Sequence, residues 1–478
     1  MNVTMFTPLP PTRTGIAHYS AMLIPALREK VELEAVSEPA DAATRQPANP
    51  IYQLGNNPHH EWIYREAMKT PGVIVLHDIV LHHLIVEMTL ARGDAEGYIA
   101  AMQANHGDMG AAWARGRIIG LHTELANFLM PASIDIANHS RAVIVHNRYA
   151  ADRLRSLGVT TPIHVVQHPH VPTGPTRDRP GLRRRLGISD DERVIGFFGF
   201  LTSAKRAEVV LDAFHIARER NRRLRLLVVG EAAPNIKAIE DVGITVTGYV
   251  DNAEFDDYYA AADRLVNLRY PSAGETSGTL VRAFDAGKPV AVSDYAQFAE
   301  LPDDVATKIA FGPDEVKDLA EFFLQDIASP AAAQRRWLEE NASMEKAVAG
   351  YIAALGEVSQ PFIRPSATFS PRSGEKALNG LSLFPRVSLS WNGTSLILRN
   401  DGDMVLRAGE YGQPGYRAVL KFGDRDRWVA LPRDLAPGES VAIDAPVGAQ
   451  RVTLTHALEG IPIVDETPAA AVELRRVR

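Results

Sequence analysis

Four short segments of this chain carry side chains able to do chemistry, and each sits between an apolar run and a helical one. The most specific is Leu268-Arg-Tyr-Pro-Ser-Ala-Gly-Glu-Thr-Ser-Gly-Thr-Leu280. Glu275 can accept hydrogen bonds from sugar hydroxyls, and the amides of Thr276, Ser277, Gly278 and Thr279 can cradle a phosphate at a helix start. So many polar groups between two apolar elements exceed what a plain turn needs. The second segment, Ile195-Gly-Phe-Phe-Gly-Phe-Leu-Thr-Ser-Ala-Lys-Arg206, places Lys205 and Arg206 at a strand-to-helix turn, where two cations suit a pyrophosphate. The third, Val73-Ile-Val-Leu-His-Asp-Ile-Val80, delivers His77 and Asp78 at the carboxyl end of a strand, where open α/β sheets bind ligands. Histidine there suits hydrogen bonding and proton transfer near neutral pH. The fourth, Pro8-Leu-Pro-Pro-Thr-Arg-Thr-Gly-Ile-Ala-His-Tyr-Ser20, is a Pro-rich turn whose Gly15 opens a helix. It permits close approach of an anion, and it serves equally as an ordinary βα turn.

Other histidines lack such placement. His82 and His83 read as helix-surface or packing residues. His164, His168 and His170 alternate along an extended stretch with no carboxylate beside them, so a metal is the minor reading there and none is assigned.

The elements that must position these groups alternate between short β-rich runs and helices, which implies parallel sheets with crossover helices. Strands are expected at Asn2–Thr7, Val73–Leu76 and Ala142–Val145, with a helix from about Ile16 and a helical insertion from His82 to about Asn138 that roofs part of a cleft. Clustered Pro and Gly after His164 mark a hinge. The pattern then restarts with strands at Val194–Phe198, Leu224–Val229 and Leu265–Leu268, a helix at Ala207–Arg218, and an amphipathic helix around Ala333–Leu355 closing the second half. Residues 359–379 read as a linker. Period-two runs at Val387–Trp391, Ser395–Arg399, Ala418–Phe422 and Val452–Thr455, separated by turn clusters such as Asn400-Asp-Gly-Asp, then predict a small antiparallel β-sandwich. Its aromatics Trp391, Tyr411, Tyr416 and Trp428 suit a core better than a sugar-stacking platform. The expected domains are therefore 1–172, a Rossmann-like acceptor-side domain; 173–358, a Rossmann-like donor domain; the linker; and 380–478, the sandwich.

Composition narrows the chemistry. The chain has 478 residues, a net charge of -7 and no cysteine. Nucleic-acid binding by a positive field is not expected, and disulfides, thiolate metal sites and thiol nucleophiles are excluded. The N-terminus reads as a first strand rather than a secretion signal, and no apolar run approaches the ~20 residues that span a bilayer. A cytoplasmic protein is expected, working from the membrane surface where its acceptor is membrane-linked.

Taken in order, TGIAHYS from Thr14, VLHD from Val75, GFFGFLTSAKR from Gly196, VTGYV from Val246 and RYPSAGETSGTLVRAFDAGKPVAVSD from Arg269 resemble glycosyltransferase family 4, over roughly Met1 to Leu355. The resemblance implies a GT-B fold, two Rossmann-like domains facing a cleft, and a retaining transfer of a sugar from a nucleotide-diphosphate donor without a metal. It gives Glu275 the donor sugar and Lys205 the diphosphate. Gly15 would approach the phosphates, His77 would line the sugar and acceptor side, and the backbone at Gly248, Tyr249 and Val250 would meet the base. Catalysis would be electrostatic, with the acceptor hydroxyl passing its proton to a phosphate oxygen. Two positions depart from the pattern. Arg282 or Ala283 stands where a second, ribose-binding glutamate is expected, with Asp285 a turn beyond, and Phe200 replaces an arginine. The C-terminal segment resembles β-sandwich domains of bacterial surface-polysaccharide assembly proteins, which implies a glycan or lipid-linked acceptor. A nucleotide-sugar epimerase and a non-catalytic glycan-binding scaffold remain alternatives.

Overall fold

The computed structural model describes residues 1–12, 14–42, 46–172, 178–231, 242–250 and 252–358, together with segments 387–391, 396–400, 415–422, 425–430, 439–443, 451–458, 461–463 and 472–473. The chain forms two compact units, Met1–Phe362 and Ile363–Arg478.

Both sheets of the first unit are parallel. The first half contains β1 (Asn2–Phe6), β2 (Glu32–Val36), β3 (Ile51–Leu54), β4 (Val73–Leu76), β5 (Ala142–Val145) and β6 (Ile163–Val165), in the order β2-β1-β3-β4-β5-β6. β3, β4 and β5 are buried at every position. β4 and β5, covered on both faces by crossover helices, read as continuous apolar runs rather than alternating ones, whereas β3 carries the buried Gln53. Between β4 and β5 runs the expected helical insertion, whose long helix Ala95–Ile118 breaks at Gly107.

The second half contains β7 (Arg193–Phe198), β8 (Leu224–Val229), β9 (Ile244–Val246), β10 (Arg264–Asn267), β11 (Val290–Ser293) and β12 (Thr307–Ile309), in the order β12-β11-β10-β7-β8-β9. Strand order reverses between β7 and β10, so the loops leaving their carboxyl ends part and leave a crevice. Those loops are the Lys205 and Glu275 segments. In the first half the reversal falls between β1 and β3, which opens the same kind of crevice beside the Gly15 turn.

The closing helix departs from expectation. The amphipathic pattern near Ala333–Leu355 is two helices, Ala331–Asn341 and Met344–Val358. Leu338 of the first packs in the second half. The second crosses back, and Ala347, Val348, Tyr351, Ala354 and Leu355 bury against Val3, Met5, Leu23, Val73 and Ile144 of the first half. Its apolar face matches the first sheet, a preference that helical periodicity alone cannot assign. The Tyr351 hydroxyl lies 3.0 Å from that of Tyr19 and 3.1 Å from Gln53 Nε2, all fully buried.

In the second unit β13 (Val387–Trp391), β14 (Leu396–Asn400) and β17 (Ser440–Ile443) form one antiparallel sheet. β15 (Gly415–Phe422), β16 (Arg425–Ala430), β18 (Arg451–Leu458), β19 (Ile461–Ile463) and β20 (Val472–Glu473) form another. The linker at 359–379, Tyr411, the turn clusters beginning at 401 and 431, and the side chains of Trp391, Tyr416 and Trp428 lie outside the described residues. Among the described residues no helix is long and apolar enough to cross a membrane.

Tyr351→Phe should lower stability by about 1–3 kcal/mol, because it strands two buried polar partners. Tyr351→Ala should cost about 3–5 kcal/mol by adding a cavity. Urea unfolding checks both, and equal losses would place the cost in the hydroxyl alone.

Candidate active site

The loop between β10 and the helix Gly278–Asp285 is seated on the first half. The Ile79 amide donates to the Ala273 carbonyl at 2.8 Å, and Asn147 Nδ2 donates to the Gly274 carbonyl at 2.8 Å and to Thr276 Oγ1 at 3.2 Å. Gly274 has φ 75, and a Cβ there would stand 2.9 Å from Ile79 Cγ1, so both the conformation and the contact call for glycine. Glu300 accepts from the Arg148 and Tyr149 amides beside this contact.

Within the loop Glu275 is held from two sides. Oε2 accepts from the Ala273 amide at 2.8 Å, and Oε1 lies 2.7 Å from Arg269 Nε, an ion pair whose N–H points off the line of a hydrogen bond. Arg269 is 9% exposed, so the pair faces little water and its geometry is fixed. The remaining lone pairs of Glu275, which is 23% exposed, can accept from a ligand.

Lys205 folds back along its own turn, with Nζ donating to the Phe198 carbonyl at the end of β7, 3.1 Å away. Gly199, at φ 89, makes room, since a Cβ there would lie 2.5 Å from Nζ. Burial first, and Arg269 second, push the Lys205 ammonium down to about 7, while Glu275 opposes them. An ammonium destabilised in this way gains most from a ligand anion.

Arg206 points elsewhere. Both arms of its guanidinium engage the buried Glu315, and its centre lies 5.1 Å from the Phe311 ring. The diphosphate role expected for Arg206 is corrected accordingly: it braces the turn, at φ 58, that aims Lys205.

The side chains of the 276–279 run also turn inward. Thr276 Oγ1 donates to the His146 carbonyl at 3.4 Å, while Ser277 Oγ caps the helix through the Leu280 amide and, like Thr279 Oγ1, reaches Asn267 Oδ1 at 3.1 Å. What the run can offer an anion is the first-turn amides of Gly278 and Thr279, which have no partner within their helix.

Gly15 is exposed at the start of the helix Gly15–Arg28, behind the Thr14 cap, and nothing lies within 4 Å of where its Cβ would be. Gly248, Tyr249 and Val250 follow β9, two strands from β7. Gly248 bridges Gly230, Tyr249 is 54% exposed and Val250 packs on the core.

The residues at the departures from the family pattern are engaged as well. Arg282 pairs with Asp256 at 3.3 Å and meets His18 Nε2 of the first half at 3.2 Å, so His18 must present a lone pair. Asp285 lies 3.0 Å from His170 Nε2 and is not open to a ribose. Phe200 is 52% exposed.

His77 belongs to a buried ladder that its own segment did not reveal. Its Nε2 lies 2.7 Å from Gln53 Oε1 and its Nδ1 3.1 Å from His146 Nε2, while His146 Nδ1 lies 2.8 Å from the Val166 carbonyl. Burial lowers His146 to about 4, and burial followed by His146, His60 and His168 holds His77 well below the ordinary histidine range. With both rings neutral the protons can be counted. His146 Nδ1–H donates to Val166, leaving a lone pair on Nε2, so His77 donates from Nδ1 and must accept at Nε2. The ladder closes when the Gln53 amide turns by half a rotation, so that its nitrogen meets His77 and its oxygen accepts from Tyr351. In the opposite orientation one imidazole would have to carry charge. Either way both His77 nitrogens are spent inside the protein, on Gln53 and His146, which leaves none for the proton transfer expected of His77.

Sequence reasoning missed Gln53, Tyr19, His146, Asn147 and Arg269. His146 and Asn147 follow the apolar β5 as His77 and Asp78 follow β4, and that repeated placement was the available signal.

Residues 192–327 match the family model described as Glycosyl transferases group 1. The chain is similar to 2-deoxystreptamine glucosyltransferase of Streptomyces kanamyceticus, with 27% identity over 195 residues covering 37% of this chain and 50% of that protein. It is also similar to D-inositol 3-phosphate glycosyltransferase of Segniliparus rotundus, with 29% identity over 179 residues covering 35% of each. The chain thus spans half or less of the length of these curated relatives. Among solved structures, HepE of Anabaena in complex with UDP aligns with a TM-score of 0.48 at 14% identity, covering 74% of this chain and 99% of that one. Sucrose-phosphate synthase of Thermosynechococcus elongatus aligns with 0.47 at 14%, covering 73% and 81%.

Gly274→Ala should cost about 1–3 kcal/mol in backbone strain and loosen the seam. Hydrogen exchange at the Ile79 amide should accelerate, and unchanged exchange would show that the contact tolerates a Cβ.

Proposed function

We propose that this chain is a retaining glycosyltransferase that moves a sugar from a nucleotide-diphosphate donor to a glycan or lipid-linked acceptor, without a metal, on the cytoplasmic side of surface-polysaccharide assembly. The observation that carries the reading is the meeting of three loops at the carboxyl ends of two parallel sheets. Lys205 and Glu275 flank the strand-order reversal of the second half, and Ile79 ties the Glu275 loop to the His77–Asp78 turn of the first. The glycosyltransferase group 1 match over residues 192–327 covers the two loops of the second half. The second unit is read as a β-sandwich module that engages the acceptor or an assembly partner.

In this reading Glu275, pre-oriented by Arg269 and the Ala273 amide, accepts from donor-sugar hydroxyls. Charge developing on the departing diphosphate is met by the Lys205 ammonium and the first-turn amides of the helix Gly278–Asp285. Fixed donors of this kind stabilise a leaving group without reorganising.

The test is thermal stabilisation by a panel of UDP-, GDP-, ADP- and dTDP-sugars, since a bound donor raises the melting temperature. No shift with any of them would remove the reading. Glu275→Gln should leave the fold intact and lower turnover about 10- to 100-fold, the worth of a hydrogen bond to a charged group. Near-normal rates at saturating donor would take Glu275 out of the sugar site.

Lys205 gives the donor affinity a pH dependence of known sign. The free ammonium titrates at about 7, and a bound diphosphate stabilises the charged form, so binding takes up a proton above that pH and weakens as pH rises. Calorimetry in buffers of different ionisation heat should detect the uptake, and Lys205→Met should abolish it. EDTA should leave activity intact, whereas loss restored by added manganese would replace the electrostatic account with a metal.

A further inference from the structure

The first half brings its own carboxyl group to the seam. Asp78 follows His77 at the carboxyl end of β4, and its Oδ2 accepts from the Asn56 amide at 3.0 Å. Its other oxygen makes no hydrogen bond among the described residues, and no cation pairs with it there. Arg269, the guanidinium within electrostatic reach, is committed to Glu275. The next residue, Ile79, is bonded to Ala273, which fixes the Asp78 loop against the loop that carries Glu275. The half-buried Asp78 therefore stands where two chain segments converge from opposite halves of the unit.

We propose that Asp78 is a catalytic residue that takes the proton of the attacking hydroxyl during sugar transfer. This rests on the glycosyl-transfer reading and changes one step of it, the fate of the proton, which the family resemblance gives to a phosphate oxygen. The acceptor O–H bond breaks and its proton passes to Asp78 Oδ1. The oxygen's electron pair forms the bond to the anomeric carbon. The bond from that carbon to the diphosphate oxygen breaks, its electron pair leaves with the diphosphate, and Asp78 later returns the proton to solvent. His77 cannot take this part, since Gln53 and His146 occupy both its nitrogens.

The electrostatic surroundings agree. Burial first, and the Glu275 carboxylate second, raise Asp78 to about 7, while the Asn56 amide and Arg269 oppose them. Across the seam Lys205 faces the same Arg269 and Glu275 and is lowered to about 7. His77 beside it stays neutral. A base near this value matches its task at neutral pH. Activity should rise with pH as Asp78 loses its proton and fall as Lys205 loses its own, which gives a bell with its maximum near 7.

The experiment uses the full chain and whichever of UDP-, GDP-, ADP- or dTDP-glucose raises the melting temperature most, with water as acceptor and release of the nucleoside diphosphate as readout. Asp78→Asn keeps an oxygen for the Asn56 amide. It should preserve the donor-induced shift in melting temperature, lower kcat on the order of 100-fold and erase the acidic limb of the pH profile while leaving the alkaline one. Unchanged kcat, a surviving acidic limb, or a loss confined to KM would overturn the assignment. Should Asp78→Asn fail to fold, the wild-type profile decides, because a profile with no acidic limb near pH 7 sinks the proposal by itself. A wild-type chain that neither binds nor cleaves any of these donors overturns the glycosyl-transfer reading instead.

Discussion

The short loop after β10 finds the partners of its backbone in the other half. Ala273 and Gly274 offer their carbonyls to Ile79 and Asn147, and Gly274 takes a left-handed conformation so that Ile79 can come close. Backbone carbonyls at such depth must be paired, so the two halves complete one another's hydrogen bonds. Once that contact is made the rest follows. Glu275 turns back to the Ala273 amide, Arg269 closes over it, and Asp78 is set against the same loop.

Three arginines of the second half are each paired. Arg206 is taken by Glu315, Arg269 by Glu275, and Arg282 by Asp256 and His18. Asp78, displaced upward, and Lys205, displaced downward, have no opposite charge in contact among the described residues. Both respond to the same Arg269–Glu275 pair, so that pair sets the poise of a base on one side of the seam and a cation on the other.

Several strands were legible because parallel, doubly covered strands leave unbroken apolar runs, as Val73–Leu76 and Ala142–Val145 do. β3 was not, because Gln53 interrupts Ile51–Leu54, and the polar residue that hid the strand is the one that anchors the histidine ladder. Lys205 and Glu275 were legible as types at strand ends. The competition for Arg206 was not, because its partner Glu315 lies 109 residues away and no local pattern announces it. The closing helix misled for a related reason: periodicity shows that Met344–Val358 has an apolar face and is silent on which sheet receives it.

That returning helix also sets an order of events for the nascent chain. Val3 and Met5 share a core with Ala354 and Leu355, so the part of this sheet face that the helix Gly15–Arg28 does not cover stays bare until nearly the whole first unit has left the ribosome. The second half meets no such delay, since its apolar clusters run only from Leu182 to Ala342. Contacts of such long sequence separation form late, and surface exposed meanwhile is open to aggregation. The half made first is therefore the half finished last, and its interval of exposure scales with the time needed to translate the residues in between.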